Sequence, residues 1–183
     1  MKFLGYYKDQ LKSELLKFKN GNNIAIERWL KIISKTDVVN HKKIDYIIRA
    51  LGSRETTPLL APLDKVGIYL ESKLEAKYIP KILSKKITPQ LKFLGKYDRK
   101  QAIQNSYNCM EKLNIKENSS FLIIDDVITT GATGNEIARA LIEAYGNNIK
   151  IFHFALVYTP LSQEYQYQEQ QYNQKFYKKL IAS

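Results

Sequence analysis

Two adjacent carboxylates, Asp125 and Asp126, are followed after two apolar residues by Thr129, Thr130, Gly131, Ala132 and Thr133. Neighbouring carboxylates can accept hydrogen bonds from the two hydroxyls of a sugar diol. The Thr/Gly loop can turn successive backbone N–H groups onto one phosphate, and the threonine hydroxyls add donors. Gly131 permits close backbone approach and dihedrals that other residues avoid. No lysine is needed in the loop itself, because the peptide dipoles form the cradle. The two acids alone read equally well as helix-capping or surface residues. The ordered string of apolar run, acids, Thr/Gly loop and amphipathic stretch points to an anion site.

The elements that must position these residues are readable on either side. Phe121–Ile124 is a continuous apolar run, as expected for a buried parallel strand, and it delivers the acids to the strand's end. The pattern predicts a helix from about Thr133 to Tyr145, ended by Gly146, and a strand over Ile149–Tyr158. Strand, loop, helix and strand in this order form a βαβ unit and imply a parallel sheet. The loop then lies in the crevice where such sheets bind ligands, with the positive end of the helix dipole facing it. Glu136, one turn into that helix, reads as a dipole partner. Upstream, Leu11, Leu15, Leu16 and Phe18 predict a helix over 7–19, stopped by Gly21. A second helix is expected over Asn23–Ser34, with Trp29 in the core. Further expectations are a strand over Ile44–Ala50, a helix over Leu63–Tyr78, a short strand over Ile82–Ser84, a loop over 85–97 and a helix from Asp98 to about Leu113. The tail Ser162–Lys179 is Gln/Tyr-rich, and helix and disorder both stay open for it.

The 183 residues suffice for one domain with a real core, and 44% hydrophobic and 26% charged residues describe a soluble globular chain. Cys109 is the one cysteine. It rules out an internal disulfide and a multi-thiolate zinc site, and it reads as a small buried apolar residue. His41 and His153 show no ligand spacing, and His153 reads as a core or sheet-face residue. Charges at Lys8, Asp9 and Lys12 interrupt the N-terminal stretch before a signal peptide could form, and no run of about 18 apolar residues follows. No membrane association and a cytoplasmic location are therefore expected. The net charge of +11 favours anionic partners without choosing among phosphates, nucleic acid and acidic surfaces.

The string from Phe121 to Thr133 resembles the ribose-phosphate signature of type I phosphoribosyltransferases: four apolar residues, two acids, two apolar residues, then TTGAT. That resemblance implies a central, mostly parallel sheet flanked by helices, with a small hood from the N-terminal region. On this plan residues 1–183 form one domain, with a helical hood region at 1–43, an α/β core at 44–160 and a polar tail at 161–183. It implies that Asp125 and Asp126 meet the ribose 2- and 3-hydroxyls as the catalytic pair, and that Thr129, Thr130, Gly131, Ala132 and Thr133 hold the 5-phosphate. The implied substrate is phosphoribosyl pyrophosphate or a nucleoside 5-phosphate. The implied reaction displaces pyrophosphate from ribose C1 by a nitrogen nucleophile, with Mg2+ held through substrate oxygens rather than by protein ligands. Homodimers are common in that family.

Two further segments resemble the ComF-like branch. They are Ile87–Tyr107, with Thr88, Gln90, Leu94, Arg99 and Asn105 at similar spacing, and the opening stretch Tyr6–Asn23. By that resemblance Lys85, Lys86 and Arg99 are candidates for pyrophosphate contact, as are Ser53 and Arg54 in the loop after the strand at 44–50. Arg99 reads equally as a helix-surface charge, and Arg54 as part of an ordinary turn. The chain departs from the branch in two respects: it has no cysteine-rich metal module, and its stretch Ile47–Pro62 lacks the Val-Pro strand end and the Arg-Gly-aromatic-Asn-Gln motif. Three functions therefore stand: a phosphoribosyltransferase with an unidentified nitrogen acceptor, a non-catalytic sensor of phosphoribosyl pyrophosphate or a nucleotide, and a nucleic-acid-associated factor linked to DNA uptake. The charge supports the last only weakly.

Overall fold

The computed structural model describes residues 1–7, 9–52, 54–56, 61–87, 101–110 and 113–159. Ser53, Arg99, most of the segment 85–97 and the tail lie outside the described residues. Five strands form one sheet: β1 (Lys2–Tyr6), β2 (Tyr46–Arg49), β3 (Lys77–Tyr78), β6 (Ser120–Ile128) and β7 (Lys150–Tyr158). Their order is β1-β7-β6-β2-β3, and every pairing is parallel. Two shorter strands, β4 (Leu83–Lys85) and β5 (Tyr107–Cys109), pair antiparallel beside it. The helices are α1 (Asp9–Lys19), α2 (Asn23–Ser34), α3 (Pro62–Leu74) and α4 (Ala132–Tyr145).

The handedness of parallel crossovers decides which face each helix covers. Chain direction runs from β1 to β2 and from β2 to β3 one way across the sheet, but from β6 to β7 the other way. Right-handed connections therefore put α1, α2 and α3 on one face and α4 on the opposite face. The core obeys this. Leu122 and Ile124 pack with Leu15, Phe18, Trp29, Ile33, Val66 and Leu70, whereas Phe121 and Ile123 pack with Ile137, Ala140 and Leu141. Successive side chains of β6 alternate between the two cores, as the period of a strand requires.

Several boundaries are set locally. Asn22 caps α2 by accepting from the Ala25 N–H at 3.0 Å. Asp64 caps α3 by accepting from the Ala61 N–H at 2.7 Å, with Pro62 in the first turn. Three expectations change. Residues 2–6, too short to show a period, form edge strand β1, ordered by pairing with β7 and by burial of Leu4. The helix expected to reach Tyr78 stops at Leu74, where Glu75 turns left-handed and the chain enters β3. The helix expected to reach Leu113 is helical at 101–103 but gives way to β5, because Tyr107 is fully buried against its neighbours.

Arg49, the last residue of β2, is almost wholly buried. Its Nε donates to Asp64 at 2.7 Å, and its two terminal nitrogens donate to Glu55 at 3.0 and 2.8 Å. Tyr78 donates its hydroxyl to the same Asp64 oxygen, and burial with that bond pushes the phenol well above its ordinary range. The guanidinium thus ties the loop after β2 to α3 and β3. Arg49→Ala removes the cation and leaves the Asp64 and Glu55 carboxylates without it. Loss of about 3–5 kcal/mol of stability is expected, measured as a lower urea midpoint.

Candidate functional site

Between β2 and β6 the connections depart in opposite directions, so the sheet splits at its carboxyl edge and leaves a crevice. The ladder between β2 and β6 ends at Arg49 and Ile124, followed by one bond from the Ala50 N–H to the Ile124 carbonyl. The ladder between β6 and β7 continues to Ile128 and Tyr158. From Asp125 onward β6 is therefore paired on one side only, with its other edge facing the crevice. A cleft of about 430 Å³ over this end of β6, on the side of β7 and α4, is lined by Tyr7, Lys19, Asp125, residues 127–133, His153 and Thr159. That is enough for a sugar phosphate.

Because β6 stays extended past Ile124, the two acids leave it on opposite faces. Asp125 shares the face of Ile123 and α4. Its Oδ1 accepts the Asp126 N–H at 2.8 Å, and its Oδ2 lies 3.8 Å from His153 Nε2. That nitrogen is buried without a hydrogen bond. The imidazole also fixes its neighbour: a Cβ on Gly134 would fall 2.4 Å from His153 Nδ1, so only glycine lets α4 approach. Asp126 shares the face of Leu122 and α1, and its Oδ2 meets Lys19 Nζ at 2.8 Å. Burial raises the Asp126 carboxyl and Asp125 adds to the rise, while the lysine opposes it. Asp126 is absent from the cleft lining, whereas Lys19 is part of it.

Gly131 has φ +75°, and a Cβ there would meet nothing within 4 Å. Backbone conformation rather than space selects glycine, and the opening above it is the cleft. The residue starts α4 without a side-chain cap, and Thr130 Oγ1 accepts the Ala132 N–H at 3.3 Å. The first turn of this 14-residue helix, with Ala132 and Thr133 in the cleft wall, faces the cleft with its partial positive charge.

The residues singled out beyond the loop fall in different places. Lys85 is buried. Its Nζ donates to the carbonyls of Leu51 and Gly52 at 3.3 and 3.2 Å and sits over the Tyr107 ring. Burial lowers its pKa, against the pull of Asp125 and Glu55. Lys86 and Arg54 are exposed, and neither makes an ion pair among the described residues. Glu136 is more than a dipole partner: it accepts the Tyr107 N–H at 3.4 Å and pairs with Arg139, whose Nη2 donates to the Tyr107 carbonyl at 2.7 Å. Cys109 is half-buried, and burial pushes its thiol up to about 11. Sequence reasoning had not placed Lys19, Tyr7 or Thr159 at the site, because their approach is purely tertiary.

Among the described residues no three His, Cys, Asp or Glu side chains gather closely enough to hold a metal ion. The two acids, on opposite faces, do not converge on one ion. A divalent cation here would take most of its oxygens from a ligand and solvent.

A family model described as the phosphoribosyl transferase domain matches residues 79–181, more than half of the chain. The chain therefore belongs to the phosphoribosyl transferase family. No curated protein sequence matches it. Among solved structures, it is similar to adenine phosphoribosyltransferase from Leishmania donovani, at 11% identity over 82% of this chain and 75% of that one, with a TM-score of 0.46. It is also similar to the Saccharomyces cerevisiae adenine phosphoribosyltransferase, at 16% over 76% and 69% with a TM-score of 0.41. A third is the Staphylococcus aureus hypoxanthine phosphoribosyltransferase, at 15% over 76% and 74% with a TM-score of 0.39.

Tyr107 joins the two banks of the crevice. Its backbone is held by Glu136 and Arg139 of α4, and its hydroxyl exchanges two bonds with Leu51, accepting at 3.1 Å and donating at 2.9 Å. Tyr107→Phe leaves the Leu51 N–H buried and unpaired, while the Leu51 carbonyl keeps the Lys85 ammonium. A stability loss of about 1–3 kcal/mol is expected. Faster hydrogen exchange at the Leu51 amide, with the α4 amides unchanged, is the check.

Proposed function

We propose that this chain is a phosphoribosyltransferase of the ComF-like branch that binds phosphoribosyl pyrophosphate with magnesium and transfers ribose 5-phosphate to a nitrogen acceptor. The observation that carries the reading is the one-sided end of β6. Asp125 lines the cleft there, shortly before a threonine–glycine loop that opens into the N-terminus of α4. In this reading the 5-phosphate sits on the loop and the first turn of α4, and Asp125 accepts a ribose hydroxyl. Asp126 is assigned to the neighbouring hydroxyl. The pyrophosphate lies toward the loop after β2, where Ser53, Arg54, Lys86 and Arg99 are the candidate contacts. Lys85 supports that loop from below through its carbonyls.

The acceptor's nitrogen lone pair forms the new bond to C1 as the C1–oxygen bond breaks. The electron pair leaves with pyrophosphate, and the nitrogen gives up a proton. Magnesium, when bound, neutralises charge on the departing oxygens. The protein's share is to hold ribose and phosphate still and to offer fixed dipoles to an oxocarbenium-like transition state.

A second reading, a non-catalytic sensor of the same ligand, is favoured by one observation. The cation at the end of β2, Arg49, is consumed by Asp64 and Glu55, so Arg54 is the described cation left to that loop. The two readings share a binding test and part at turnover. Calorimetric titration with phosphoribosyl pyrophosphate and magnesium is expected to give micromolar binding, about −8 kcal/mol. Joint Asp125→Asn and Asp126→Asn substitution is expected to abolish it. Unchanged binding by the double variant would falsify the site. Pyrophosphate release with candidate amines and bases then separates enzyme from sensor.

A further inference from the structure

The cleft must accept an anion, yet Asp125 is in its wall and Asp126 just behind it. Among the described lining residues, one permanent cation offsets them: Lys19, from the last turn of α1. It lies outside the motif and outside the segment that the family model matches. Its position is well determined. Leu15 and Phe18 of the same helix are buried in the core against the sheet, and the Gly21 N–H closes the turn on the Phe18 carbonyl. The ammonium is held 2.8 Å from Asp126 Oδ2, with the lysine side chain 40% exposed. That contact uses one of three ammonium donors.

The geometry points to a role for Lys19 as a ligand-binding residue. Asp126 presents its ammonium to the cleft, where it contacts an anionic oxygen of the bound phosphate opposite the Thr129–Thr133 loop. This inference rests on the sugar-phosphate reading of the cleft and adds to it a charge that the loop does not contain. It also gives Asp126 a second task. A carboxylate that faces Lys19 from one side and Asp125 from the other is costly to bury alone, and the lysine offsets that burial. Without Lys19 the cleft would pair two acids with an anionic ligand, and like charges at such spacing repel.

The test compares inorganic phosphate and ribose 5-phosphate as probes, by calorimetry, on wild type, Lys19→Met and Lys19→Arg. Circular dichroism confirms that each variant is folded. Both anions are expected to bind the methionine variant about 10- to 100-fold more weakly, the range for one charge-assisted contact. The arginine variant is expected to stay within about threefold of wild type. Unsubstituted ribose is expected to show no difference between wild type and Lys19→Met. Equal anion affinity in wild type and Lys19→Met overturns the inference, as does a wild type that binds neither anion. The failure modes are separable. Lys19-dependent phosphate binding without phosphoribosyl pyrophosphate binding removes the transferase reading and keeps this one. Phosphoribosyl pyrophosphate binding that ignores Lys19→Met does the reverse.

Discussion

Everything at this site depends on one topological constraint: parallel crossovers are right-handed, so neighbouring strands whose connections leave in opposite directions must part at their carboxyl ends. β2 hands the chain to α3 on one face, and β6 hands it to α4 on the other. The crevice is thus a consequence of chain order, and the residues beyond Arg49 and Ile124 are placed on its two banks whatever their chemistry. The Thr/Gly loop and the acids exploit an opening that the sheet creates regardless.

A gap between two strands is useful only if its banks keep their separation. Tyr107 supplies the tie, with its backbone on α4 and its hydroxyl on Leu51. Lys85 reinforces the same bank by holding two carbonyls of that loop. These groups are buried and polar, and they come from the small β4–β5 pair rather than from the main sheet. That pair therefore works as a brace. Arg49 performs the matching task on the opposite face by tying the loop to α3.

How much of this was legible follows the range of the interactions. The strand, loop and helix around Asp125 are specified by neighbours in sequence: an apolar run, a glycine at positive φ and an amphipathic repeat. They could be read with nearly the right ends, and so could α2, with its Asn22 cap. The continuation of β6 to Ile128 could not, because it depends on β7 offering a partner beyond the point where β2 stops. That continuation sends the two acids to opposite faces. Lys19 reaches Asp126 from a helix that looks, in isolation, like any amphipathic helix with a basic last turn. Tyr107 was read inside a helix because local propensity favours one there; burial and the pairing with Lys85 override it. Lys85 was grouped with Lys86 as a candidate for pyrophosphate contact because a sequence records charge but not depth.

The edge strand β1 has a consequence for how the molecule is made. Lys2 and Phe3 find their partners in Phe154 and Ala155. During synthesis β1 emerges long before β7 and must wait for it before its backbone is paired. Loop closure over that separation is slow compared with forming the βαβ unit of β6, α4 and β7, whose contacts are local. The sheet therefore closes on β1 after β7 has been made rather than growing outward from β1. Until then Phe3 and Leu4 lie on an open strand edge, the kind of surface that chaperones shield in a nascent chain.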